Sequence, residues 1–402
     1  MPKVLRILNR LIVGGPALHV LNLTHYSSNE FETRLIVGNK DDQEQGAEYL
    51  ADKFNITPLY IPEMSRNINF INDIKSFYKI RKQIKEFKPD IVDTHGTKAG
   101  VIGRLAAISM RVPVVIHTYH GHIFHSYFGK IKTKIFVLIE KLLATKTDAI
   151  VTISTSQRND LLNEFKITRE SKIHTILLGF DLNKFQTDYL MKRDRFRKEF
   201  GLGEDEIAVG IIGRLVPIKN QALFVDAISY VLTNTNKKIR AFIIGDGGIR
   251  KNLEQQCKNL SIPYTTALNI DFSPYKLIFT SWRNDIDVVT AGLDIITLTS
   301  LNEGTPVSLI EAQASNKPIV STDVGGIRDI LLQNDTALIS DVCDSTKFKE
   351  NLLRLIEDDM LREYLGKNGF EYVKDKFNFQ RLISETAALY YDVLKKKKEN
   401  KS

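Results

Sequence analysis

DIITLTSLNEGTPVSLIEAQASNKPIVSTDVGG, residues Asp294–Gly326, decides the fold of this 402-residue chain. Ile295–Leu298 is an apolar run of strand length, and a loop carrying Glu303 follows it. Thr305 has the chemistry of an N-cap and Pro306 that of a first helical residue, where a missing N–H costs nothing, so a helix is expected from there. A second buried strand, Pro318–Ser321, and a Gly325-Gly326 turn close the unit. Amide groups from Gly304 to Val307 at the start of that helix would favour an anion, with Glu303 on one side of it. Glu311 lies five residues beyond Pro306, roughly 7–8 Å along the helix axis. That is about the reach from a diphosphate to its ribose, where a carboxylate accepts both ribose hydroxyls.

Working outward, buried strand runs alternate with helical stretches along the whole chain, the pattern of parallel sheets with crossover helices. Val4–Leu8, Arg34–Val37, Ile91–Asp93, Val114–His117 and Ala149–Ile153 are strand candidates in the first half. Ala208–Ile212, Ala241–Ile244, Leu277–Phe279, Ile295–Leu298 and Ile319–Ser321 are those of the second. The alternation pauses near Leu178-Gly179-Phe180-Asp181, which reads as a linker. Two α/β domains are expected, 1–180 and 181–377, with a terminal helix and basic tail over 378–402.

Composition narrows the class. The chain is 43% hydrophobic, as soluble globular enzymes are, and no apolar run approaches a membrane span. Met1-Pro2-Lys3 leads straight into a strand, so no signal peptide is expected. Cys257 and Cys343, far apart, fit a reducing cytoplasm and lack metal-ligand spacing. Up to Phe185 there are 26 Lys+Arg against 18 Asp+Glu, and the remainder is balanced, so the first half carries the whole net charge of +8.

Other segments carry chemistry. Strand Ala208–Ile212 runs into Gly213-Arg214 and on to Lys219, two cations at the carboxyl end of a parallel strand, where open α/β sheets bind ligands. There they would meet charge that grows on a departing diphosphate. Gly14 and Gly15, before Pro16, permit close backbone approach to a ligand. His117, His120, His122 and His125 crowd one segment, yet no acid or Cys at suitable spacing joins them, so no metal site is expected. Gly245 and Gly247 follow another strand without the G-x-G-x-x-G spacing of a dinucleotide site. Asp285-Ile286-Asp287 reads as the opening of a helix rather than as a metal motif.

Glu303 and Glu311, with the preceding strand, the G-T-P loop and the V-G-G turn, resemble the E-x7-E signature of the retaining family 4 glycosyltransferases. The resemblance covers nearly all of the chain and implies the GT-B fold: two facing Rossmann-like domains and a C-terminal helix crossing back to the first. Arg214 and Lys219 match the family's G-R-L-x-x-x-K element, which holds the leaving phosphates. Thr118-Tyr119-His120-Gly121 matches a T-x-H-G element whose histidine reaches the donor sugar, with His122 second in line and His117 structural. Gly14 and Gly15 match the loop facing the diphosphate. Pro16-Ala17-Leu18 stands where many members carry an acid, so only the backbone role carries over. Gly304, Thr305, Pro306, Val307 and Glu311 are implied in holding the nucleotide diphosphate and ribose, with Gly245 and Gly247 nearby. Phe279–Ile286 resembles the loop lying along the base, with Ser281 where glycine is usual.

The implied activity is transfer of a sugar from a UDP-linked or similar donor to a glycan or lipid-linked acceptor in surface polysaccharide synthesis. Retention of configuration and no metal or other cofactor are expected. Catalytic roles fall to His120, Arg214, Lys219 and Glu303. A nucleotide-sugar epimerase of the same shape and a non-catalytic nucleotide-sugar sensor are the rivals. The basic surplus of the first half, with lysines around Ile135–Ile139, admits two readings: solvated helices with those residues in the core, or attachment to an anionic membrane. The second is favoured, giving a cytoplasmic protein peripheral at the inner face of the membrane. No aromatic-interleaved basic motif points to nucleic acid.

Overall fold

The computed structural model describes residues 1–41, 44–65, 67–121, 130–267 and 271–399. The chain forms two compact units: Met1–Phe180 together with Phe377–Ser402, and Asp181–Lys376.

Unit 1 is built on a seven-stranded parallel sheet. Its strands are β1 (Lys3–Leu8), β2 (Glu32–Gly38), β3 (Leu59–Ile61), β4 (Ile91–His95), β5 (Val114–Tyr119), β6 (Ala149–Thr152) and β7 (Ile173–Thr175). The spatial order is β3-β2-β1-β4-β5-β6-β7, so the winding reverses between β1 and β4. β4, β5 and β6 are buried along their whole length, as sheets covered by helices on both faces require. The C-terminal helix Phe379–Glu399 packs Leu382, Ala387, Leu389, Tyr390 and Val393 into the same core as Val4, Ile91 and Ile116. Gly179 admits it: a Cβ there would lie 2.5 Å from the Leu382 side chain and 2.8 Å from the Asn378 carbonyl.

Unit 2 repeats the plan with β8 (Glu206–Ile212), β9 (Lys238–Ile244), β10 (Tyr264–Thr265), β11 (Leu277–Ser281), β12 (Ile295–Leu298), β13 (Ile319–Asp323) and β14 (Ala337–Asp341). The order β10-β11-β9-β8-β12-β13-β14 reverses between β8 and β12. In open α/β sheets such reversal points open a crevice beyond the carboxyl ends of the strands. The fold class expected from the sequence is therefore the one found, with two sheets of the doubly wound kind. β3, β7, β10 and β14, which the sequence reading did not mark, are the four edge strands of the two sheets.

Two details correct the sequence reading. The helix after Glu303 spans Val307–Ala314, with Pro306 at its N-cap in extended backbone (φ −73°, ψ 108°) and no side chain capping it. Thr305 thus lies one residue before the cap. The helix at Asp285 spans Ile286–Gly292, but Asp285 turns to Arg283 and Asp287 to Lys192, at 2.8 Å in each case.

Candidate functional site

In unit 2 the expected residues converge on the loops beyond β8, β9, β12 and β13, four neighbours in the sheet. These loops are stitched by backbone contacts. Leu301 N donates to Ile218 O at 2.8 Å, and Thr299 Oγ1 to Lys219 O at 2.9 Å. Gly326 N donates to Gly304 O at 3.0 Å, and Leu215 N to Asp246 O at 2.9 Å. Three glycines make this closeness possible. A Cβ on Gly325 (φ +54°) would sit 1.8 Å from the Glu303 carbonyl, and one on Gly245 (φ +129°) 2.1 Å from that of Gly213. A Cβ on Gly247 would sit 2.3 Å from that of Leu215. The packing alone thus calls for glycine at 245 and 247.

On this scaffold Lys219 Nζ and Glu303 Oε1 form an ion pair, and Ser300 Oγ donates to the same carboxylate oxygen at 2.6 Å. Both side chains keep a face to solvent, 22% exposed for Lys219 and 10% for Glu303. A cation and an anion thus neutralise each other at the reversal of the sheet, and an entering phosphate can take the ammonium while a hydroxyl takes the carboxylate. Arg214 is exposed on the β8 loop, whose carbonyl at the same residue accepts from Gln221 Nε2 at 2.8 Å. Gly304, Thr305 and Pro306 lead into Val307, the first helical residue. Glu311 is the fifth, half-buried; burial raises its carboxyl above the usual range, Lys184 opposing and Asp287 adding. Ser281 has φ +59°, the left-handed conformation that favours glycine, and its hydroxyl donates to Asp246 Oδ2 at 2.8 Å.

In unit 1 the expected residues Gly14, Gly15 and His120 follow β1 and β5, the strands on either side of β4 near the sheet reversal. Gly14 holds φ +156° at the N-cap of helix Gly15–Tyr26; Gly15 is an ordinary first helical residue, so only one of the pair needs glycine's freedom. His120 follows β5, and its Nε2 lies 3.0 Å from His95 Nδ1. His95 Nε2 lies 3.0 Å from Asp93 Oδ2, which also accepts the Tyr390 hydroxyl at 2.6 Å. His19, on the Gly15–Tyr26 helix, stands edge-on to both rings, 4.9 Å from His120 and 5.7 Å from His95 between centres. His117 is wholly buried, with Nδ1 against Thr94 Oγ1 at 2.9 Å, while His122 and His125 lie outside the described residues.

The sequence reading missed Asp93, His95 and His19. One signal was present: β4 runs out through Thr94-His95-Gly96 as the next strand in the sheet runs out through Tyr119-His120-Gly121. Burial, then His95, holds His120 well below the usual imidazole range. For His19 the causes are burial, then His120 and His95. Burial works to raise the Asp93 carboxyl, but His95, Arg6 and Tyr390 outweigh it and keep it below the usual range. Unit 1 therefore offers two imidazoles held toward the neutral form, His19 and His120, near a buried carboxylate, suited to bonding hydroxyls. Unit 2 offers cations, helix amides and two carboxylates, suited to a sugar-bearing diphosphate.

Comparison with known proteins gives the family. The profile described as "Glycosyltransferase Family 4" matches residues 13–184 and that described as "Glycosyl transferases group 1" matches 192–372. The chain is similar to the UDP-Gal:alpha-D-GlcNAc-diphosphoundecaprenol alpha-1,3-galactosyltransferase of Escherichia coli, 29% identical over 86% of each chain. It is similar to the capsular polysaccharide biosynthesis glycosyltransferase CapM of Staphylococcus aureus, 26% identical over 84% of this chain and 85% of that one. Among solved structures, Anabaena Alr3699/HepE in complex with UDP and glucose superposes with a TM-score of 0.81 at 18% identity, over 98% of this chain and all of the other.

Proposed function

This chain belongs to the family 4 glycosyltransferases of GT-B fold, and from that premise we propose that it moves a sugar from a UDP-sugar to a lipid-linked glycan acceptor with retention of configuration. The observation that carries this reading is the Lys219–Glu303 pair at the β8/β12 reversal, set beside the helix terminus at Val307. The ammonium and helix amides bind the diphosphate more strongly as the glycosidic bond breaks, the condition for lowering a barrier rather than only binding substrate. Arg214 adds a second cation, and Glu311 takes the ribose hydroxyls. Glu303 and His120 take sugar hydroxyls. Asp93 is 1% exposed and engaged by His95 and Tyr390, so no free carboxylate is offered as a nucleophile there. Front-face displacement, without a metal, is the mechanism this reading takes, and a glycosyl-enzyme adduct trapped on a side chain would overturn it. The names of the Escherichia coli and Staphylococcus aureus relatives support the acceptor class.

The test is UDP release from a panel of UDP- and GDP-sugars, with and without polyprenyl-diphosphate-linked glycan. The expected result is release from one UDP-sugar that rises with acceptor, is unchanged by EDTA and yields a product of unchanged anomeric configuration. Donor binding without release under every condition would leave a sensor instead.

Membrane attachment has its own support. No helix of the described residues is long and apolar enough to cross a membrane. On helix Lys130–Lys146, however, Ile131, Ile135, Leu138 and Leu142 line one stripe at 77%, 53%, 58% and 62% exposure. Phe136 and Val137 pack inward, so the run 135–139 is divided between core and surface. Lys134 and Lys141 flank the stripe. We assign this face to an anionic lipid surface, where each basic residue adds roughly 1 kcal/mol. In vesicle sedimentation, Ile135→Glu with Leu138→Glu is expected to lower partition into phosphatidylglycerol vesicles at least about tenfold. Equal binding to neutral and anionic vesicles would sink the assignment.

A further inference from the structure

Asp93, His95 and His120 lie in one hydrogen-bonded row in unit 1, and the row ends on a ring nitrogen, His120 Nδ1. His120 Nδ1 is buried with no hydrogen-bond partner among the described residues. Asp93 and His95 are 1% and 0% exposed, and both are held by β4. Tyr390 and Thr118 also face Asp93, donating to its two oxygens at 2.6 and 3.4 Å.

The row has a direction. An ionised carboxylate only accepts, so His95 carries its proton on Nε2, toward Asp93. One proton lies between His95 Nδ1 and His120 Nε2, which meet at 3.0 Å; placed on His120 Nε2, it makes His95 Nδ1 the acceptor. His120, neutral in turn, is left with a lone pair on Nδ1. We propose that Asp93 and His95 are positioning residues that fix His120 in its Nε2–H form, so that Nδ1 accepts a hydrogen bond from a sugar hydroxyl. This rests on the transferase reading for the identity of the hydroxyl, though not for the tautomer. A site built this way discriminates: an ether or deoxy group at that position would leave the buried acceptor unpaired.

A metal held by His19, His95 and His120 is the competing arrangement, since their ring nitrogens all lie within 4.8 Å of one another. The Asp93 contact alone suits either, because metal-bound imidazoles also turn their far nitrogen to carboxylates. The line of the contact decides. The 5.3 Å between the His95 and His120 ring centres is the 3.0 Å contact plus two ring radii, so the nitrogens point at each other along one axis. Two ligands of one tetrahedral ion point instead at a third position, which draws the ring centres closer for the same nitrogen separation.

The experiment is nitrogen-15 NMR of the full chain with labelled histidine, His120 being assigned by its loss in His120→Gln. The expected spectrum has one protonated and one bare nitrogen on His120, with the proton on Nε2. In His95→Phe the single tautomer is expected to give way to a mixture, and kcat/KM to fall about tenfold to a hundredfold. UDP affinity, carried by unit 2, should stay within twofold. A proton on Nδ1, protonation of both nitrogens, or an unchanged tautomer in His95→Phe overturns the proposal. So does one equivalent of zinc per chain by mass spectrometry that is lost in His19→Ala. If the tautomer is as expected and no donor is turned over by the wild-type protein, the relay stands and the transferase reading falls.

Discussion

Lys219→Ala is expected to lower kcat/KM for the UDP-sugar by about 10² to 10³, the loss typical of one preorganised group removed from a developing anion. The loop itself should survive. Its backbone is held by Thr299 Oγ1 on the Lys219 carbonyl and by Leu301 N on Ile218 O, neither of which involves the side chain. What changes is charge. Glu303 keeps the Ser300 hydroxyl but loses its cation, so an unneutralised carboxylate faces the incoming phosphates. Glu303→Gln separates the two halves of the pair. It keeps the shape and frees the ammonium, so donor affinity should hold or tighten while kcat falls about 10²-fold. Steady-state kinetics with UDP calorimetry reads both. A Lys219→Ala enzyme within threefold of wild type would remove Lys219 from the machinery.

The second large effect concerns stability. Arg104 is wholly buried between β4, β5 and helix Lys130–Lys146. Its Nε donates to Gly100 O at 2.8 Å and its Nη2 to Glu140 Oε2 at 2.6 Å. The Tyr119 hydroxyl donates to the same oxygen at 2.6 Å. Glu140→Ala would leave a buried guanidinium and a buried phenol without their acceptor, at about 3–5 kcal/mol. For a unit of this size that is a fall in Tm of roughly 6–20 °C. Arg104→Met combined with Glu140→Leu should recover most of the loss, because a well-packed apolar pair replaces a buried ion pair at little cost. Scanning calorimetry resolves it: a Glu140→Ala melt within 2 °C of wild type would show that Arg104 finds another partner.

The central strands of both sheets and the loops of unit 2 could be read from the sequence because each is a local signal. An apolar run buried on both faces announces itself, and Glu303, Thr305 and Glu311 lie close together along the chain. Three of the edge strands could not: β10 has two residues, β3 and β7 have three, and an edge needs no continuous apolar run; β14, five residues with Ala337–Ile339 apolar and buried, carried a signal that went unmarked. The helix cap was misplaced by one residue because Thr is a favoured N-cap and Pro a favoured N1, and only the ψ of 108° at Pro306 puts the proline itself at the cap. The Asp93–His95–His120 row is non-local, joining strand β4 to the loop after β5, and Tyr390 reaches it from 297 positions along the chain. The resemblance of Thr118–Gly121 to a T-x-H-G element marked His120, while only packing shows what stands behind it. Ser281 is the reverse case: the sequence showed a departure from glycine, and the backbone there is still left-handed.

Unit 1 is discontinuous, and this bears on how a ribosome could make it. Its first stretch, Met1–Phe180, emerges while Leu382, Tyr390 and Val393, which fill its core, do not yet exist. All of Asp181–Lys376 must be synthesised in between, roughly 10–40 s at ordinary elongation rates. Unit 2 is one uninterrupted stretch and is complete the moment it leaves the exit tunnel. The later-encoded half is then the first to mature, and the nascent N-terminal half waits with Val4, Ile91 and Ile116 uncovered, a natural client for a chaperone until the last helix arrives.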